Sequence, residues 1–217
     1  MDTARIAALL DPFLEQELSQ SQLDRISIYI DLLIRWNARI NLTAIRHPEE
    51  IVTRHFGESF VLARHLFPAG TSLHPPRILD IGSGAGFPAL PLKLWAPYIH
   101  LTLIESNHKK AAFLREVARA LTLTDINVIN ERTEVLAARP DSPRADIVTL
   151  RAVEHFETIL PQAVTFLAPS ATLALLIGID QVPHLTPLAT LKWRQPIPIP
   201  KSHVRVLSIG VHVKWYK

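Results

Sequence analysis

The sequence predicts an α/β fold. Its expected form is a mostly parallel sheet with an antiparallel last strand, preceded by an N-terminal helical extension. Three observations carry this. Short apolar runs alternate with helix-like stretches between residues 77 and 177, the pattern of βαβ units. Residues 1–66 contain no such runs and repeat apolar side chains at helical spacing. From His203 onward branched and polar residues alternate. The 217 residues are 48% hydrophobic and 20% charged, which supports a substantial core and excludes wholesale disorder.

The elements follow in chain order. Pro12 confines the first helix to a short or kinked piece. Ser21 with Asp24 reads as an N-cap pair, after which Leu23, Ile26, Ile30, Leu33 and Ile34 form an apolar stripe with Trp36 in its core pattern. Pro48-Glu49-Glu50 opens another helix, because proline suits the first turn and the carboxylates complement the helix dipole. Strands are expected at 77–81, 100–105, 126–129, 145–150 and 171–177, with the clearest intervening helix at 107–121. Prolines 183, 187, 196, 198 and 200 break up the next stretch, and the closing strand is expected to pair antiparallel with one near 188–192. The helical extension is assigned to residues 1–70 and the sheet domain to 71–217.

With no cysteine, disulfides, thiolate zinc sites, iron–sulfur clusters and cysteine nucleophiles are excluded. The 10 histidines show no ligand spacing, so no metal is expected. Acidic residues within the first 18 positions and the lack of a long uncharged apolar run lead to the expectation of a cytoplasmic, monomeric protein without a membrane span. Charge is uneven. Residues 1–70 carry 7 basic and 9 acidic groups, 71–160 carry 10 and 10, and 161–217 carry 6 and 1. A basic tail suits a polyanionic partner, or is simply solvated surface.

Asp80-Ile81-Gly82-Ser83-Gly84-Ala85-Gly86 lies between the first strand and the helix expected near Pro88. Glycines there permit a tight turn and close approach of backbone to a ligand, and the helix start adds free amide donors. The spacing G-x-G-x-G, with Phe87 where a third small residue would stand, departs from the dinucleotide fingerprint. Asp80 beside the loop would repel a pyrophosphate but suits the amine-bearing tail of S-adenosylmethionine. Glu105, at the end of the second strand, can take both ribose hydroxyls.

Leu79 to Pro88 resembles motif I of the Rossmann-like S-adenosylmethionine methyltransferases. More narrowly, the chain resembles the bacterial small-subunit ribosomal RNA guanine-N7 methyltransferases, the glucose-inhibited division protein B family. Trp36-Asn37, Asn41 to Ile45, Arg54-His55 and Glu58-Ser59 match its N-terminal segment. Glu105-Ser106, Lys109-Lys110, Phe113 to Arg115, Arg132-Thr133-Glu134 and Arg151-Ala152 match downstream. The sequence departs at Glu58, where aspartate is commoner, at Ala89 in place of glycine, and at Ile177, where the family usually has lysine before glycine.

The resemblance implies methylation of guanine N7 in 16S rRNA, with S-adenosyl-L-methionine as cofactor and the small subunit or an assembly intermediate as partner. Candidate cofactor-binding residues are Asp80, Gly82, Ser83, Gly84, Gly86, Phe87, Glu105, Ser106, Thr133, Glu134 and Arg151. By resemblance Gly82 and Phe87 line the site, Glu105 holds the ribose, and Thr133 and Glu134 lie beside the adenine. Arg151 is the catalytic candidate, placed against cofactor or base. The candidates for an RNA face are Arg35, Arg39, Arg46, Arg54, Lys109, Lys110, Arg115, Lys192, Arg194, Lys201 and Arg205, with Trp193, Trp215 and Tyr216 either for base stacking or for packing on the sheet. Two alternatives stay open: a methyltransferase of another RNA or a small molecule, and a binding module with weakened catalysis.

Overall fold

The computed structural model describes residues 1–68, 74–151, 156–186, 188 and 190–213. The expected boundary at 70/71, together with Ala152, Trp215 and Tyr216, lies outside them. Among the described residues eight strands form one sheet in the order β3-β2-β1-β4-β5-β8-β6, with β7 against β8. Strands β1 (Arg77–Ile81), β2 (His100–Ile104), β3 (Ile126–Ile129), β4 (Ala145–Arg151) and β5 (Leu167–Gly178) run parallel. β8 (Arg205–His212) is antiparallel to β5, and β6 (Leu191–Trp193) and β7 (Ile197–Pro198) are antiparallel to β8. The expected terminal pairing is therefore present, shifted by a few residues. β5 starts earlier than its apolar run, beyond a register irregularity between Ala145 and Ile147.

Strand order reverses between β1 and β4, so the crossovers diverge to opposite sides and leave a crevice at the carboxyl ends of these strands. Helices α5 (Ala89–Trp95), α6 (His108–Ala120), α7 (Thr133–Ala137) and α8 (Phe156–Thr165) link the parallel strands. Strand residues alternate between two cores. Ile78, Ala174 and Leu176 join the core that includes α5 and α6, whereas Leu79, Leu173, Leu175 and Ile177 join the core under α8.

The N-terminal segment belongs to the first of these cores. It comprises α1 (Thr3–Leu10), the long α2 (Gln20–Ile40), the single turn α3 (Pro48–Glu50), a π-helical stretch Ile51–Gly57 and α4 (Glu58–Leu66). Pro12 ends α1 as expected, leaving a 3-10 turn at Asp11–Phe13. The cap of α2 is Ser19, two residues before the expected Ser21. Ser19 and Gln22 form a reciprocal capping box, and Gln22 also donates to Leu94 O at 3.0 Å, which anchors that end of the helix on α5. Ile34 is another correction: it is 37% exposed, on the flank of a stripe that continues through the buried Leu33 and Asn37. Trp36 packs on the core, 5.7 Å from the Phe113 ring. No helix among the described residues is long and apolar enough to cross a membrane.

Candidate functional site

The glycine loop leaves the end of β1 with Gly82, Gly84 and Gly86 at φ of +65°, +53° and +86°. These are left-handed conformations in which a Cβ is unfavourable, so the three glycines answer a backbone demand. Gly86 N donates to Ser83 O at 2.6 Å, and Ser83 N donates to Ile104 O at the end of β2 at 3.0 Å. Tyr29 of α2, wholly buried, donates from its hydroxyl to Ala85 O at 2.6 Å and stacks on Phe87 with ring centres 5.2 Å apart. The N-terminal helices thus hold the loop from behind.

Glu105 clasps it from the side. Oε2 accepts the Gly84 amide at 2.9 Å and Oε1 accepts the Asn107 amide at 2.7 Å, so one carboxylate couples the loop to the cap of α6. Each oxygen retains acceptor capacity for a ligand hydroxyl. Asn130 fixes the backbone behind it, donating from Nδ2 to Glu105 O at 2.7 Å and to Ser106 O at 2.9 Å.

Asp80 lies beneath the loop, 1% exposed. Its Oδ1 accepts from the Thr149 hydroxyl at 2.6 Å, across the Asp80–Thr149 register pair of β1 and β4, and its Oδ2 has no partner among the described residues. Burial pushes its pKa up to about 7. An unfolded aspartate titrates near 4, so the folded state keeps a proton between about pH 4 and 7 that the unfolded chain has released. Stability is therefore expected to fall as pH rises through this window, by roughly 4 kcal/mol in all. Denaturant titrations from pH 4 to 8 check this: Asp80→Asn should flatten the slope, and identical slopes for both proteins would refute it.

The opposite wall comes from three distant segments. The π-helical stretch, a geometry often found at functional sites, carries Arg54 and His55. Arg151 ends β4 and Arg205 begins β8. Arg151 donates from Nη2 to Arg54 O at 2.8 Å and to Glu58 Oε2 at 3.1 Å, and from Nη1 to His55 Nδ1 at 2.8 Å. Arginine can only donate, so His55 Nδ1 accepts and its Nε2–H is left to donate to the Thr43 hydroxyl at 2.9 Å. Burial, then the neighbouring Arg151, Arg54 and Arg205, hold the His55 pKa well below the usual histidine range, which keeps the ring neutral. Asn37 completes this wall: its amide clasps Thr43 N and O at 2.9 Å each, shaping the 41–45 loop.

These walls enclose a cavity of about 840 Å³, in the usual size range of ligand sites. Gly82, Ser83, Gly84 and Phe87 line its floor; Glu105, Ser106, Thr133 and Glu134 line one end; Arg151 lines the other. Two candidates do not line it. Asp80 is covered by the loop, and Gly86 faces Tyr29, Leu90 and Leu114 instead. Of the basic candidates named for an RNA face, Arg54, Lys110 and Arg205 reach the cavity, while Arg35, Arg39, Arg46, Lys109, Arg115, Lys192, Arg194 and Lys201 do not. Trp193 is half-buried and packs against Gly210 across the β6–β8 pair, the sheet-packing one of its two readings. Sequence reasoning missed Asn130, Thr149 and the hub role of Glu58. The signals were a lone hydroxyl in a buried strand and a lone acid in the apolar stretch 56–63.

Comparison with known proteins adds the following. The family model GidB, described as rRNA small subunit methyltransferase G, matches residues 22–185. A ribosomal RNA small subunit methyltransferase G from Roseiflexus castenholzii is 38% identical over 208 residues, covering 90% of this chain and 86% of that protein. One from Xylella fastidiosa is 35% identical over 196 residues, covering 87% and 88%. Among solved structures, a SAM-dependent methyltransferase from Aquifex aeolicus superposes with a TM-score of 0.59 at 15% identity, covering 80% of this chain and 97% of that one. A ribosomal protein L11 methylase from Lactobacillus delbrueckii gives 0.57 at 16%, covering 73% and 79%. At such identities the structural likeness speaks for the fold alone.

Proposed function

Because the chain belongs to the GidB family, the rRNA small subunit methyltransferases G, we propose that it transfers a methyl group from S-adenosyl-L-methionine to N7 of a guanosine in 16S rRNA. The observation that carries this reading is the two-ended cavity. One end joins glycine-loop amides to an acid that can hold a ribose, and the other gathers arginines suited to a nucleic acid.

The residues fit such a cofactor. Glu105 has acceptor capacity left for two hydroxyls, and Thr133 and Glu134 offer polar edges for an adenine. Asp80 supplies a buried carboxyl oxygen beneath the loop with no partner among the described residues, and an ammonium above it would favour the ionised form. When bound, the cofactor supplies an electrophilic methyl group on a sulfonium. Guanine N7 carries a free lone pair and loses no proton, so the protein needs no general base. It must align donor and acceptor and exclude water. Phe87, stacked between Tyr29 and His55 at 5.2 and 4.6 Å, gives that alignment a rigid floor. Nη2 of Arg151 is already spent on Glu58 and Arg54 O, so a full bidentate fork to the guanine edge would compete with these bonds. Arg151 therefore serves as a fixed positive wall.

Incubation with labelled cofactor and naked 16S rRNA, intact small subunits or small acceptors tests the reading. Label in N7-methylguanosine of the rRNA is expected, and label in small acceptors only would overturn it. Glu105→Ala is expected to weaken S-adenosylhomocysteine binding ~10- to 100-fold in calorimetry, since ribose and loop contacts go together. An unchanged Kd would remove Glu105 from the ribose role.

A further inference from the structure

Glu58 is 1% exposed yet holds three guanidiniums. Oε1 accepts from Arg54 Nε at 3.2 Å, and Oε2 accepts from Nη2 of Arg151 at 3.1 Å and of Arg205 at 3.3 Å. Among the described residues the only other acid paired with this group is Glu50, 3.7 Å from Arg54 Nη1 in a half-exposed, solvent-screened contact. His55, held neutral, adds no charge. Among the described residues positive charge is thus in excess at one end of the cavity, and much of it is shielded from water: the side chains of Arg151 and Arg205 are 8% and 18% exposed, and the Nε of each is buried without a partner among those residues. Such an excess is unfavourable until an anion meets it. The methyl donor has a sulfonium, an ammonium and one carboxylate, so it brings net positive charge. A polynucleotide brings one negative charge per phosphate.

Donors for that anion are present. Arg205 Nη2 is committed to Glu58 and to Leu176 O at 3.2 Å, while Nη1 has no partner among the described residues. The Arg54 side chain is 46% exposed, with Nη2 likewise unpartnered among the described residues. The two come from the π-helical stretch and from β8, where Arg205 sits opposite Gly178 of β5.

We propose that Arg54 and Arg205, aligned by Glu58, form an oxyanion subsite at the arginine end of the cavity, which takes a backbone phosphate of the polynucleotide beside the target base. The proposal rests on the methyltransferase reading above and names how that site grips its substrate. The cofactor's own carboxylate is the competing source of the same chemistry.

The test is equilibrium binding of a 16S rRNA fragment to the full chain across a salt series, with S-adenosylhomocysteine present so that no turnover enters. Arg54→Gln and Arg205→Gln should each weaken RNA binding about three- to tenfold and flatten the log–log salt slope by about one. Calorimetric affinity for S-adenosylhomocysteine should not change. Arg119→Gln, an exposed charge at the far end of α6, should alter neither quantity. Unchanged slopes in both cavity variants would overturn the subsite, as would absence of salt-dependent RNA binding by the unsubstituted protein. A loss of cofactor affinity with the RNA slope intact would assign the arginines to the cofactor carboxylate and overturn the phosphate. Failure of methyl transfer by the unsubstituted protein would sink the activity while leaving the binding result readable.

Discussion

Gly86→Ala is expected to destabilise the protein by roughly 4–6 kcal/mol, a large part of the usual stability of a domain. Gly86 has φ +86°, so an alanine there carries about 1–2 kcal/mol of left-handed strain. Its Cβ would overlap the Tyr29 hydroxyl, sit 2.6 Å from Leu90 Cδ1 and press on Leu114 Cδ2 at 3.1 Å. Tyr29 cannot swing aside cheaply. It is fully buried, packed edge-on against Phe56 and flat on Phe87, and its hydroxyl bonds Ala85 O at 2.6 Å. Overpacking contributes about 1–3 kcal/mol, and a lost buried hydrogen bond a similar amount. Urea denaturation measures the sum, and a midpoint equal to that of the unsubstituted protein would disprove the packing role. Gly84→Ala is the control. A Cβ there approaches only Gly82 O, at an ordinary 3.7 Å, so the backbone strain alone remains and the chain should stay folded.

Glu58→Gln is the second large effect, expected to destabilise by about 3–5 kcal/mol and to slow methyl transfer sharply. The substitution keeps the shape but removes the charge that Arg54, Arg151 and Arg205 share. Two buried guanidiniums then repel each other with no buried counter-ion, and the amide keeps one acceptor oxygen where the carboxylate offered two to three arginines. Glu58→Asp restores the charge one methylene shorter and should recover part of both properties. Thermal melting and single-turnover methyl transfer read the two effects separately. A Glu58→Gln protein with unaltered melting and rate would show that the carboxylate holds nothing in place.

The helices, the parallel strands and the glycine loop were legible because each is encoded locally. The period of the apolar residues, the capping polar groups and the need for left-handed backbone at 82, 84 and 86 act within a few residues. Glu105 was legible for the same reason, since the end of a strand beside a loop is a position a sequence can mark. Asp80 was found as well, but its position was not: a strand-end acid next to a ligand loop reads as a contact, whereas the loop folds over it and leaves one oxygen buried and unpartnered. Ser19 rather than Ser21 caps α2 because the reciprocal Gln22 bond decides between two chemically similar serines, and α5 supports that choice from 72 residues away.

The sequence by itself determined the layered α/β architecture, the loop that grips a ligand, and the family to which these motifs belong. Only the tertiary structure decided which of 23 basic residues are cavity groups. Glu58 meets Arg151 across 93 positions and Arg205 across 147, and His55 is paired to Arg151 across 96. An arginine's charge is the same at the surface and in the core. Its role depends on burial and on the sign of its neighbours, and these exist only once the strand ends and the π-helical stretch have been brought together.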